Sequence, residues 1–310
     1  MGLFGRARRH EAMDDDLTFL TVDEARFLRS LVREAFANAG VEVTMHPGHV
    51  ASDAGDEYGL WNLAAACHDD TRGRRAWPEL VAEHVEKLLA RAGRDPFEGL
   101  TEQAAARSTF VRLFRADDDL YANLDLGPQH LFAPGLVEMT ALDLPESVVP
   151  YSAEAVERLG GADRLRRWGF ENLRREPVEH LEEVETRGGA FHVLAGASVH
   201  TASRALLMPS LAAGLTGHEA GNDGWLLSVP NRHEVLWHVL RDAAALPALQ
   251  GMVGLTLARH EHAAGQLSPH VYWWSGDRYE QLTHVDDDGE VVVHVGPALA
   301  EVLERLSRSS

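Results

Sequence analysis

The stretch Thr21-Val22-Asp23-Glu24-Ala25-Arg26-Phe27-Leu28-Arg29-Ser30-Leu31-Val32-Arg33-Glu34-Ala35-Phe36, with Asn38-Ala39-Gly40-Val41-Glu42-Val43-Thr44-Met45 close behind it, decides the fold class. Thr21 and Glu24 stand three residues apart, the spacing of a capping box. Phe27, Leu28, Leu31, Val32 and Phe36 mark one helical face. Gly40 suits a left-handed cap, and Val41–Met45 alternates as a half-buried strand does. A polar break follows, and Tyr58–Cys67 reads as a second strand. Pro78 sits at a first-turn position. Leu80, Val81, His84, Val85, Leu88 and Leu89 then share one face of a helix. Residues 21–92 therefore read as an α-β-β-α module and residues 1–20 as a flexible tail. Helices on one side of antiparallel strands make an α+β fold.

Residues 93–108 read as a connection with a short helix near Thr101–Ala106, and 109–310 as a larger α+β domain. Strands are expected at Thr109–Arg115, Leu120–Leu126 and Leu136–Leu144, and a hairpin at Leu181–Thr186 and Ala190–Leu194. Ser152 caps a helix running to Leu159, and Ala162–Arg175 is another. Thr201–Leu215 favours helix, kinked or split at Pro209. Trp225–Val229 is a buried strand. His233–Leu240 is apolar almost throughout, so period does not separate strand from helix. Leu246–Arg259 reads as helix, and His270–Trp274 pairs with Arg278–Val285. After a turn at Asp286-Asp287-Asp288-Gly289, Glu290–Val295 returns as a strand. Leu299, Val302, Leu303 and Leu306 form a closing amphipathic helix.

The 310 residues carry 29 Lys plus Arg against 48 Asp plus Glu, a net charge of −19. That balance repels phosphate backbones and anionic membrane surfaces, and it favours solubility or a basic partner. No apolar run approaches the roughly 18 residues of a membrane span. The start, Met1-Gly2-Leu3-Phe4-Gly5-Arg6, lacks the apolar core of a secretory signal. One cysteine, Cys67, excludes an internal disulfide framework. A cytoplasmic location is the simplest expectation.

The chemistry-bearing candidates are few. His260-Glu261-His262 ends a helix and His270 opens a strand, a plausible zinc set. On a helix, His260 and His262 would stand about 200° apart, so they share a metal only where the helix has ended. The loop pair His46/His49 could use Asp53 or Asp56, though a hairpin loop after a strand is the readier account. Gly196-Ala197-Ser198-Val199-His200 has His where a nucleophile elbow needs its second Gly. Cys67-His68 are neighbours in sequence, which is not how catalytic Cys and His meet. His233 and His238, five apart, share neither a helical nor a strand face. The acidic triplets at 14–16, 117–119 and 286–288 read as solvated turns. No phosphate-binding loop or dinucleotide fingerprint is present. Trp273-Trp274 places one indole on each face of a strand, one for the core and one for a partner.

Four segments carry a family likeness: Phe170-Glu171-Asn172-Leu173-Arg174-Arg175, Gly189-Ala190-Phe191-His192-Val193-Leu194, Ala202-Ser203-Arg204-Ala205-Leu206, and Leu226-Leu227-Ser228-Val229-Pro230-Asn231-Arg232-His233-Glu234-Val235-Leu236. Their order and spacing resemble the bacterial domain-of-unknown-function family 1444, the YtpQ-like proteins, most clearly over residues 109–260. The C-terminal part, Tyr279 to Ser310, and the N-terminal lead depart from that pattern. The resemblance implies an α+β cytoplasmic protein of unsettled role and supplies no catalytic residues. Its opening module is similar to the small α-β-β-β-α units of secretion-chaperone folds.

The expectation is a non-catalytic protein- or peptide-binding factor, adaptor or chaperone-like, without a cofactor, that binds through Trp273 or Trp274. The rivals are a metal-assisted hydrolase using His260, His262 and His270 or the His46/His49 pair, and a structural domain inside a homo-oligomer.

Overall fold

A computed structural model of the chain describes residues 12–14, 16–17, 19–53, 57–90, 95–118, 125–144, 147–261, 263, 265–285 and 291–308. The chain divides into two compact units, Met1–Asp95 and Pro96–Ser310. Every strand pairing between the named strands is antiparallel, and helices pack against the sheets. The fold is α+β.

In the first unit, helix α1 (Val22–Asn38) starts at the Thr21–Glu24 capping box and buries Leu28, Val32 and Phe36. A meander of β1 (Val43–Met45), β2 (His49–Ser52) and β3 (Glu57–Gly59) follows. The strand expected over Tyr58–Cys67 stops at Gly59. Trp61–Asp69 is helix α2 instead, burying Leu63, Ala64, Ala65 and Cys67. Three consecutive alanines and no β-branched residue favour helix there. After a 3-10 turn at Gly73–Ala76, α3 (Trp77–Leu89) packs on α1 and α2. The order is α-β-β-β-α-α, not α-β-β-α.

The described part of residues 12–20 is packed rather than a flexible tail. Leu17, Phe19 and Leu20 are buried, and the Phe19 ring meets Trp61 edge-on at 5.1 Å. Asp14 is no solvated turn residue. Both of its oxygens accept from the Arg29 guanidinium at 2.8 Å. Those bonds hold its carboxyl below the usual Asp range, against the opposing effect of burial.

In the second unit, Thr101 caps α4 (Glu102–Ser108), which packs on later elements of that unit; the segment 93–108 is therefore more than a connection. A four-stranded sheet holds β4 (Thr109–Arg115), β5 (His130–Ala133), β6 (Leu136–Leu144) and β7 (Ser147–Pro150), with β6 between β4 and the other two. Helices α5 (Ala153–Arg158) and α6 (Ala162–Arg175) follow. Helix α6 lies directly on β4: a Cβ on Gly169 would stand 2.5 Å from the Val111 nitrogen.

Next come β8 (His180–Thr186), β9 (Gly189–Ala195), a 3-10 helix at Ala202–Leu207 and α7 (Ser210–Thr216), split at Met208-Pro209. Then come β10 (Trp225–Ser228), β11 (Glu234–Val239), α8 (Ala245–Glu261), β12 (Val271–Trp274), β13 (Tyr279–Gln281), β14 (Thr283–Val285), β15 (Val291–Val293) and α9 (Pro297–Arg308). A six-stranded sheet runs β13-β12-β10-β11-β9-β8. Segment 233–240 thus resolves as strand β11. It lies between β9 and β10 with all six residues buried, so it shows no polar alternation. The strand expected over Arg278–Val285 breaks at buried Leu282: β13 pairs with β12, and β14 with β15.

One face of the large sheet, with Leu227, Val235, Trp237 and Tyr272, packs against Leu113 and Leu136 of the four-stranded sheet. The other, with Leu226, Leu236 and Trp273, packs against Met252 of α8 and Leu299 of α9. Among the described residues no helix is long and apolar enough to cross a membrane. The expectations for Leu120–Leu124, Asp119, Asp56, His262 and Asp286–Gly289 lie outside the described residues.

Candidate functional site

Trp273 and Trp274 point to opposite faces of β12. Trp273 is 4% exposed in the α8–α9 core, and its Nε1 donates to the Asp223 carbonyl at 2.9 Å. Trp274 faces the other way and is only half-buried. It stands opposite Trp225 across β10 and β12. Their rings stack with centroids 5.4 Å apart and planes 14° apart. Tyr279, opposite Trp274 on β13, completes the wall at 4.9 Å.

Local chain geometry permits this wall. Gly224 has φ +71°, and a Cβ there would stand 1.9 Å from the Trp274 carbonyl oxygen, so only glycine fits before Trp225. The Trp225 Nε1 donates to the Tyr279 hydroxyl at 3.0 Å. Burial raises the Tyr279 pKa well above the ordinary tyrosine value, so the hydroxyl stays neutral.

The wall bounds a cavity of about 920 Å³ in the second unit. Its other sides are Phe132 of β5, Phe170 and Arg166 of α6, and the Met208-Pro209 link. Phe132 meets Tyr279 at 4.8 Å. Leu131, beside it, is 77% exposed and extends the apolar surface outward. Glu138 is 5% exposed and accepts from Arg166 Nε at 2.5 Å and Nη2 at 3.0 Å. Those bonds raise the Arg166 pKa further, so the guanidinium remains charged beside an apolar wall.

A second, polar cleft of about 600 Å³ surrounds the Asn231–Glu234 turn. Its side chains are committed to one another. Asn231 Nδ2 donates to Glu234 at 2.9 Å, and Asn231 Oδ1 accepts from the His233 amide at 2.9 Å. Arg259 pairs with Glu234 at 3.3 Å. Arg232 Nε lies 3.0 Å from His233 Nε2, and His233 Nδ1 lies 3.1 Å from the Gly196 carbonyl. Because arginine can only donate, His233 is neutral with its proton on Nδ1. Glu179 accepts from the Ala197 and Ser198 amides, which hold its carboxyl below the usual range. This network locks a turn.

Of the histidines named from the sequence, His260 and His270 come near one another. His260, at the end of α8, is pushed down to about 4 by burial, then by the charges of Arg115 and His270. Burial also lowers His270, and the nearby His284 adds to it. Among the described residues no group of three or more His, Cys, Asp or Glu is arranged to hold a metal ion. His46 and His49 stack at 4.3 Å across the β1–β2 turn.

Ser198 follows the end of β9 and is not on a strand-to-helix elbow. Its Oγ donates to Glu176 at 2.6 Å, while His200 Nε2 lies 3.2 Å from Asp143 and its ring stacks on Phe110 at 3.8 Å. Cys67 lies in α2, not at the end of a strand, and burial pushes its thiol up to about 12. It is a poor nucleophile at neutral pH.

Of the site residues named from sequence, only Trp274 lines the aromatic cavity. Trp225, Tyr279, Phe132, Phe170, Arg166 and Glu138 were missed. The one available signal is an aromatic at the start of one buried strand, Trp225 of β10, and another at the end of its sheet neighbour, Trp274 of β12. No family model, no curated protein and no solved structure matches this chain. The family resemblance therefore rests on the four quoted segments.

Proposed function

We propose that this chain is a non-catalytic peptide- or protein-binding module, adaptor- or chaperone-like, that docks its partner in the Trp274 cavity. The observation that carries this reading is the composition of that cavity. Trp, Tyr and Arg dominate the energetics of protein interfaces, and here Trp274, Tyr279, Arg166 and Arg278 surround one open space. The volume also suits a small ligand, but the lining combines the Trp274 wall with Leu131, a side chain left 77% exposed. An extended segment can cover both. Each apolar side chain that buries about 100 Å² there gains about 2.5 kcal/mol of transfer free energy, from which the ordering costs of association are subtracted.

Panning a phage-displayed random peptide library on the full chain tests this. Recovered peptides should bind saturably in calorimetry and lose at least tenfold in affinity on Trp274→Ala, with the variant's circular dichroism unchanged. Failure to recover a saturable peptide, or equal affinity for the variant, contradicts the proposal.

A further inference from the structure

We infer that the segment taken by this groove is acidic, its carboxylates meeting an arginine face on α6 while an apolar side chain seats against Trp274. This rests on the peptide-binding reading above and adds the partner's chemistry. The chain as a whole carries −19, which alone would favour a basic partner. Charge at the groove is distributed differently.

Phe170 lines the cavity, and two guanidinium groups cover its ring: Arg166 at 4.7 Å and Arg174 at 5.5 Å from the centroid. Arg174 is exposed, and so is Arg167, one helical turn before Phe170. Neither has an ion-pair partner among the described residues. Across the cavity, the ion pair of Arg278 among the described residues is a loose one, with Glu280 at 3.7 Å.

The carboxylates nearby have partners of their own: Glu171, next to Phe170, pairs with Arg175 at 3.8 Å, and Asp163 acts on Arg166. Glu138 is buried under Arg166, and Asp277 accepts from the Ser275 hydroxyl at 3.1 Å. The cavity lining itself balances, with Glu138 and Asp277 against Arg166 and Arg278; the excess beside it is positive, carried by Arg174 over Phe170 and by Arg167, planar guanidinium groups suited to carboxylate. A polynucleotide also carries anions, but it needs a long row of cations to offset its charge. Here the row is a few arginines on a strongly acidic chain. A short peptide with two or three carboxylates fits the patch.

The test uses fluorescence anisotropy with the full chain and three labelled peptides sharing a central Phe-Leu pair, flanked by glutamates, glutamines or lysines. The glutamate peptide should bind about five- to tenfold more tightly than the glutamine peptide, as expected of two or three partly exposed charge pairs. The lysine peptide should bind most weakly, and added salt should close the gap. Arg174→Gln and Arg174→Glu should weaken the glutamate peptide progressively and leave the glutamine peptide unchanged. Trp274→Ala should weaken both.

Equal binding of the three peptides, or preference for the lysine peptide, overturns the acidic assignment but leaves the groove as a peptide site. Binding by none of them overturns the groove reading and this inference with it. Competition by oligothymidylate at the same concentration as the glutamate peptide also overturns the inference, in favour of a general polyanion site.

Discussion

Trp225 and Trp274 face each other across two neighbouring strands and stack at 5.4 Å, while Trp273, one residue earlier, is sealed on the far side of the same sheet. The two adjacent tryptophans should therefore respond differently to truncation. Trp273→Ala should cost about 3–5 kcal/mol of stability, the range for a large buried aromatic. Trp274→Ala should cost about 1–2 kcal/mol, mostly the lost stacking, and its main effect should be on binding. Urea denaturation of both variants checks the contrast.

Asn172 is a structural tie. Its Nδ2 donates to the carbonyls of Ala106 at 2.9 Å and Thr109 at 2.8 Å, joining α6 to the end of α4 and the start of β4. Asn172→Ala leaves buried carbonyls without that donor and should cost about 1–3 kcal/mol. A lowered urea midpoint at unchanged slope is the expected result.

The Asp14–Arg29 pair holds the packed part of the N-terminal segment onto α1. Asp14→Asn should destabilise the first unit by about 2 kcal/mol. That is below the range for a fully buried pair, because the Arg29 side chain keeps 21% of its surface exposed. The folded carboxyl titrates below the ordinary Asp value of 3.8. Its contribution is present above that value and is lost as pH falls through the lower folded value. Thermal melts from pH 6 down to pH 2 should show the wild-type and Asp14→Asn curves converging at the acid end.

His260 has the same sign of linkage through a different group. Its folded pKa is near 4 against 6.5 for a free imidazole, with burial the leading cause. Above 6.5 both states are neutral and nothing is lost. Between 6.5 and about 4 the unfolded chain takes up a proton that the folded chain refuses, so stability falls with pH. His260→Gln should flatten that part of a stability-against-pH profile and leave the profile above pH 7 parallel to wild type.

The parts of the fold legible in the sequence are those with a strong local period. α1 and α9 each bury one stripe, and the Thr21 cap is local chemistry. Trp61–Asp69 reads wrongly as strand because an alanine run has no apolar period to reveal its helix. β11 is undecidable from period because it is covered on both sides. Trp274 is legible as half of a pair. The rest of the groove is not, because Phe132, Arg166, Phe170, Trp225 and Tyr279 meet only after two sheets and a helix have packed. The segments of the family resemblance hold architectural ties: Asn172 joins α6 to β4, Arg204 donates to the Glu176 carbonyl at the end of α6, and Asn231 locks the β10–β11 turn.

The most direct measurement labels the seven tryptophans of the full chain with 5-fluorotryptophan and follows their fluorine resonances during titration with the tightest recovered peptide. Assignment uses single Trp→Phe variants. The resonances of Trp225 and Trp274 should shift and saturate together at the calorimetric affinity, with Trp273 unmoved. Saturable peptide binding that leaves Trp225 and Trp274 unshifted would place the partner elsewhere and contradict the account.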